Sequence, residues 1–172
     1  MRKVKKFKLT SEFIVDISGV KLFRIKALIE FGNVKAGDLG GYIEKEKNLS
    51  HMGNAWVSGN AQVFGNARVF GNARVSGDAQ VSGNAWVFGD AQVFGDARVS
   101  GDKDYAYAHG FGSCNRTTTF FRLKDGDVGV RCGCFYGTLA QFRDNVCETH
   151  GETKKAQEYL MLADLMDFRF KN

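Results

Sequence analysis

The sequence predicts a mainly β chain: a short solenoid, a β-rich segment before it and a small α+β module after it. Three observations carry that prediction. From Gly53 to Ser100 a six-residue unit, Gly-(Asn/Asp)-Ala-x-Val-x, runs eight times without a gap. Before it, residues 4–29 hold short runs in which apolar and polar residues alternate. After it, residues 138–168 hold two stretches with apolar residues at helical spacing.

The repeat sets the architecture. A period of six does not fit the 3.6-residue turn of a helix. Ala and Val stand two apart in each unit, so a strand points both to one side and sends the residues flanking Val to the other. Gly and Asn/Asp then form a corner, because both tolerate left-handed backbone. A unit this short cannot bury its own face and must stack on copies of itself.

The order aliphatic, three variable, small, variable recurs from Val57-Ser58-Gly59-Asn60-Ala61-Gln62 onward. It resembles the hexapeptide repeat of left-handed parallel β-helices, the bacterial transferase hexapeptide type, over 48 residues. The resemblance implies triangular coils of three units, with residues 18 apart stacked. At about 4.8 Å per coil, the eight copies rise about 13 Å. Extending the frame back through Gly41–Glu46 and Lys47–Met52 places Ile43 and Leu49 at the small inward position. The helix then spans residues 41–102, about three coils.

On this register Met52, Phe70 and Phe88 form an outward column beside Ser50, Arg68 and Trp86. An exposed apolar column marks a contact surface. Met52, Phe70, Trp86 and Phe88 are therefore expected to meet another copy of the chain or the C-terminal segment. Proteins of the resembled type are commonly trimers, so a homotrimer is expected.

Residues 1–40 read as a β-rich cap, since an open solenoid end needs one. Strands are expected at 4–9 and 13–17, with a turn at Ser18-Gly19. A third covers Leu22–Ile29, with Phe23, Ile25 and Ala27 inward and Arg24 and Lys26 outward. The net charge is +5, and its excess lies before Gly53, led by Arg2, Lys3, Lys5, Lys6 and Lys8. No aromatic-rich surface accompanies these lysines. They read as guards of a solvated edge strand, and nucleic acid is not an expected partner. The segment from Asn33 to Asn48 contains Val-Lys-Ala-Gly-Asp-Leu-Gly-Gly. It is similar to a lead-in before hexapeptide repeats in bacterial and phage-encoded proteins of unassigned function.

Residues 103–172 read as the α+β module. Strands at 117–123 and 128–134 flank Lys124-Asp-Gly-Asp127, an Asp-Gly hairpin signal. Thr138 and Gln141 form a capping-box pattern ahead of a helix whose inner face holds Leu139, Phe142 and Val146. Gly151 ends it. A second helix runs from about Lys154 to Phe168, with a stripe of Ala156, Leu160, Ala163 and Met166 widened by Tyr159, Leu162 and Leu165. So wide a stripe calls for a cover.

No apolar run reaches the length of about 18 residues that spans a membrane. The basic N-terminus is followed by no apolar signal core. Four cysteines, Cys114, Cys132, Cys134 and Cys147, are expected as reduced thiols in a cytoplasm, that of a bacterial host cell. Four thiols also allow zinc, but a Cys-x-Cys with distant partners is a weak ligand pattern, so core thiols are favoured. The best ligand candidate is the loop Gly110-Phe-Gly-Ser-Cys-Asn-Arg116. Gly110 and Gly112 expose amides, Ser113 and Asn115 add polar groups, and Arg116 adds a forked cation suited to a small anion. Arg122 and Arg131 are expected to line the same region.

These readings converge on a non-enzymatic structural or interaction protein that oligomerises through its solenoid and displays a C-terminal binding module. No cofactor and no catalytic residue is expected. One alternative is a protein that binds or sequesters a small, nucleotide-like anion. Another, implied by the resemblance, is a CoA-dependent acyltransferase using a histidine base. The only prism histidine is His51, expected to point inward, and the gapless repeats leave out the insertions that build such active sites.

Overall fold

A computed structural model describes residues 4–171. The N-terminal strands are β1 (Phe7–Val15), β2 (Lys21–Ala27) and β3 (Leu39–Ile43). The solenoid strands are β4 (Trp56–Val57), β5 (Gln62–Val63), β6 (Arg68–Val69) and β7 (Arg74–Val75). They continue as β8 (Gln80–Val81), β9 (Trp86–Val87), β10 (Gln92–Val93) and β11 (Arg98–Val99). Parallel pairs join residues 18 apart, as in Trp56 with Arg74, Gln62 with Gln80 and Arg68 with Trp86. This gives three faces: β4-β7-β10, β5-β8-β11 and β6-β9.

Every Ala and every Val of the eight units is at most 1% exposed, as the two-residue spacing demands. Corner glycines adopt left-handed backbone, Gly77 at φ +71° for example. A Cβ on Gly77 would lie 2.9 Å from the amide nitrogen of Gly95 in the next coil. Corner amides form a second ladder, with Asn60 donating to Asp78 at 3.1 Å and Asn72 to Asp90 at 3.0 Å.

Before Gly53 the register departs from the extrapolated frame. Ile43 pairs with Val63 and Leu49 bridges Val69, each 20 residues apart. Ile43 and Leu49 therefore take the Val position, not the small Ala position. Two extra residues lie between Leu49 and the first full unit. In consequence Ser50, not Met52, lies below Phe70: Ser50 N donates to Val69 O as Phe70 N donates to Val87 O. Met52 leaves the column and stands 75% exposed in the turn. His51 is not an inward prism residue. Its ring stacks on Phe7 at 4.2 Å and its Nδ1 accepts from Lys6 N at 3.2 Å.

The cap is a meander in the order β1-β2-β3 that extends the β5-β8-β11 face. The two expected strands at 4–9 and 13–17 are one strand, Phe7–Val15, with a register break between Leu9 and Phe13. The Ser18-Gly19 turn forms, held by Asp16 Oδ1 accepting from Ser18 N and Val20 N. Arg2 and Lys3 lie outside the described residues. Lys6 corrects the edge-guard reading, because it is 1% exposed. Its Nζ donates to Gly53 O at 3.3 Å and Ala55 O at 2.7 Å, carbonyls of the first coil that have no earlier coil to meet. Asn48 does the same along the next edge. Fully buried, it donates from Nδ2 to Gly65 O at 3.2 Å and Ala67 O at 2.9 Å. Backbone amides of Tyr42, Glu44 and Ser50 satisfy Ala61, Val63 and Val69. Phe31 covers Trp56 edge-on at 5.3 Å, so this outward tryptophan is buried.

The opposite end is closed by the C-terminal module. Its sheet has four strands where a hairpin was expected: β12 (Tyr105–His109), β13 (Thr117–Arg122), β14 (Val128–Cys132) and β15 (Phe135–Thr138). One face packs on the last coil through Tyr105 and Phe121. The other, through Phe120, Val130 and Cys132, packs under two helices. Here the coil presents amides, and acceptors meet them: Asp102 Oδ1 takes Trp86 N, and Thr119 Oγ1 takes Gln92 N, both at 2.9 Å. Helix α1 (Leu139–His150) starts at the expected capping box of Thr138 and Gln141 and ends at Gly151. Helix α2 (Lys154–Phe170) buries Ala156, Tyr159, Ala163, Met166 and Phe170. Met161, Leu165 and Phe168 stay exposed.

Candidate functional site

Two surfaces stand out from this frame. The first is the β6-β9 face. Phe70 and Phe88 stack at 5.3 Å with rings 12° apart, a direct result of their 18-residue spacing. Trp86 meets Phe70 edge-on at 6.0 Å, and Tyr107 of β12 meets Phe88 the same way at 6.0 Å. The Arg68 guanidinium lies 5.8 Å from the Trp86 ring. Trp86 is 48% and Phe88 41% exposed. Phe31 from the β2–β3 connection covers Trp56 on the neighbouring β4-β7-β10 face and the C-terminal sheet covers the end, whereas this ladder stays open.

The second is a cleft of about 690 Å³ in the C-terminal module. It opens between the loop 110–116, the β14–β15 turn and the two helices. Ser113, Cys114 and Arg116 contribute from the loop, and Cys132 and Cys134 from the turn. Phe135, Phe142 and Tyr159 supply aromatic wall, with Asn145, Thr149 and His150 along α1. The local sequence explains the placement. Leu139, Phe142 and Val146 form the buried stripe of α1, and His150 is its next position, where the stripe runs out from under the sheet. Gly133, at φ +59°, makes the tight turn between Cys132 and Cys134, and the Arg116 side chain lies against it where a Cβ would collide.

The loop does not offer its amides to a ligand. Gly112 N donates to Glu158 Oε2 at 2.7 Å, and Ser113 N donates to Tyr159 OH at 3.0 Å. A carboxylate of α2 thus occupies the place expected for an anion. Gly112 must be glycine, since a Cβ would meet the Tyr159 ring. Burial raises the Tyr159 phenol above its ordinary pKa, against the opposing hydrogen bonds of Ser113. Gly110 and Asn115 belong to the loop without lining the cleft. Cys114 and Asn115 both hold left-handed backbone, at φ 59° and 45°, which costs a non-glycine residue about 1 kcal/mol.

Arg122 and Arg131 are not in this cleft. Arg131 alternates with Val130 and Cys132, so it emerges on the solenoid side of the sheet, 4.8 Å over the Phe94 ring. Arg122 sits at the end of β13 and donates to Phe170 O at 3.0 Å, the last turn of α2. The four thiols are all free, Cys132 buried and the others exposed. Among the described residues no three His, Cys, Asp or Glu side chains gather as metal ligands. Cys147 does not line the cleft that the other three share.

His150, Tyr159, Asn145 and Phe142 joined the loop in this site without having been expected there, Phe142 and Tyr159 having been read as helix-stripe residues only. Only His150 left a trace in the sequence, as a polar residue at an apolar-stripe position. No helix of the described residues is long and apolar enough to cross a membrane.

Comparison with known proteins adds one match. Residues 61–77, 79–93 and 91–102 match the YdcK beta solenoid repeat family. No curated protein matches the chain. Taken with the three stacked faces, the match makes this chain a β-helix repeat protein whose repeat is similar to the YdcK beta solenoid repeat.

Proposed function

We propose that this chain is a non-enzymatic interaction scaffold that self-associates through its solenoid and carries its C-terminal module outward. One observation carries the reading: an aromatic ladder of Phe70, Trp86, Phe88 and Tyr107 stays open on one face while both coil ends are closed by the chain itself. Contiguous exposed aromatic surface on a soluble chain marks an interface. Growth along the solenoid axis is blocked by the caps, so association is sideways and finite, in the trimer that the hexapeptide resemblance implies. Four free thiols fit a reducing compartment.

Light scattering after size-exclusion chromatography tests the reading. The wild type should elute with a mass near three times 19.0 kDa. The double variant Trp86→Asp, Phe88→Asp should fall to the single-chain mass with its circular dichroism unchanged, since both side chains are exposed. A wild type that runs as a single chain, or a double variant with undiminished mass, would sink the proposal.

A further inference from the structure

The cleft of the C-terminal module has a feature that the scaffold role does not use. Its lining contains Arg116 and His150 but no aspartate or glutamate. Glu158 of α2, the carboxylate that meets the loop, lines a different and smaller groove beside Phe111 and Met161, and it already accepts from Gly112 N. None of the ion pairs among the described residues involves Arg116. The cleft therefore holds a forked cation without an internal counter-ion.

A second cationic groove of the same module lacks this property. Around Lys103 and Asp104, Arg122 donates to Phe170 O and Arg169 to Asp102 O, so both guanidinia are committed to closing the fold. In the 690 Å³ cleft Arg116 instead lies against Gly133 and shares the lining with aromatic residues. Phe142 packs edge-on to Tyr159 at 5.6 Å and tilted to Phe135 at 5.5 Å, while His150 lies tilted against Tyr159 at 5.8 Å. Such walls accept a planar ring by stacking or edge contacts. Asn145, Thr149 and Ser113 add donors and acceptors around the rim. The volume lies within the range of about 300–1,000 Å³ that suits a small ligand.

We propose that this cleft binds a small phosphate bearing a planar base, of the nucleoside monophosphate class. Arg116 takes the phosphate through its fork, the geometry that guanidinium shares with phosphate. The ring lies over Phe135, with Phe142 and Tyr159 packed behind it. His150 closes the anionic end. The site is independent of the solenoid face and needs no second chain.

The protein carries its own reporters. Cys114 and Cys134 are exposed and line the cleft, Cys147 is exposed outside it, and Cys132 is buried. The full-length chain is alkylated with iodoacetamide, and each thiol is followed by mass spectrometry. The four ribonucleoside monophosphates and inorganic phosphate serve as separate probes. At least one nucleotide, at about ten times its dissociation constant, should slow Cys114 and Cys134 by roughly tenfold, as expected for competition with a bound ligand. Cys147 should keep its rate. In Arg116→Gln the protection should need at least about tenfold more nucleotide, the loss of a charge-assisted pair. Unreactive Cys132 certifies that this variant is folded. Protection by none of the nucleotides, equal slowing of Cys147, equal protection by inorganic phosphate, or undiminished protection in Arg116→Gln would each overturn the proposal.

Discussion

Replacing Asn48 by Leu tests the idea that side chains close the solenoid's first edge. The side chain is fully buried and makes three hydrogen bonds. Its Nδ2 serves Gly65 O and Ala67 O, and its Oδ1 accepts from Lys45 N at 2.9 Å. Leucine fills nearly the same volume without any of these functions. Each buried backbone group left without a partner costs about 1–3 kcal/mol. Ala67 O is in the buried bond and Gly65 O and Lys45 N are in part-buried ones, which together set a loss of about 4–5 kcal/mol, and the added apolar burial returns about 1–2 kcal/mol. The net expectation is a loss of about 2–4 kcal/mol, or roughly 5–12 °C in Tm for a chain of this size.

The control is Asn66→Leu. Asn66 is exposed, and its side chain makes a single corner bond, to Asn84 at 3.2 Å. Its loss should stay within about 1 kcal/mol. Urea unfolding followed by far-ultraviolet circular dichroism measures both, with an unchanged m-value confirming that the same surface is exposed. If Asn48→Leu costs no more than Asn66→Leu, the edge carbonyls do not need these donors and the capping argument fails.

Two further outcomes follow from the same geometry. Burial pushes Lys6 down to a pKa of about 8 from 10.5, with Arg74 adding repulsion, so the unfolded chain holds more protons between these values. Stability should therefore rise with pH from about 8 to 10.5 through this group, and a pH slope of Tm in that window equal in wild type and Lys6→Met would contradict it. Gly77→Ala places a Cβ at φ +71° and 2.9 Å from the next coil's backbone, whereas Gly101→Ala meets nothing within 4 Å. The first should cost about 1–3 kcal/mol and the second about zero; equal thermal shifts would refute the stacked-corner account.

The solenoid was legible because every unit repeats the same local demand, and Ala, Val and Gly each answer it eight times. What failed was extrapolation beyond the repeat. Ile43 and Leu49 fit the frame by type, but nothing local marks the two extra residues ahead of Gly53 that shift them to the Val position. Arg131 could have been placed, since its neighbours Val130 and Cys132 alternate with it and strand period sends it to the other face. The loop amides could not. Gly112 and Ser113 look free in sequence, and only folding brings Glu158 and Tyr159 onto them from 46 residues away. Lys6 was misread for a related reason: a lysine near a chain start looks solvated until its partners, the carbonyls of a coil edge, are known.

Both ends of the solenoid therefore share one problem with opposite chemistry. The first coil turns out carbonyls and is met chiefly by donors: Lys6 Nζ, Asn48 Nδ2 and the amides of Tyr42, Glu44 and Ser50. The last coil turns out amides and is met chiefly by acceptors: Asp102, Thr119 and, at Ser100, Asp104. Without these groups, the donor edge of one molecule would match the acceptor edge of the next, and the repeat would template its own extension, as unprotected strand edges do. Placing a charged or amide side chain at each edge removes that match more cheaply than adding coils. It leaves the β6-β9 face, where Phe70, Trp86, Phe88 and Tyr107 meet solvent, as the open side of the prism. On the proposed reading, a closed axis and an open side would give a particle that assembles to a fixed size. The cleft rides at its capped C-terminal end, with its opening set by the α1 and α2 helices and not by any solenoid face.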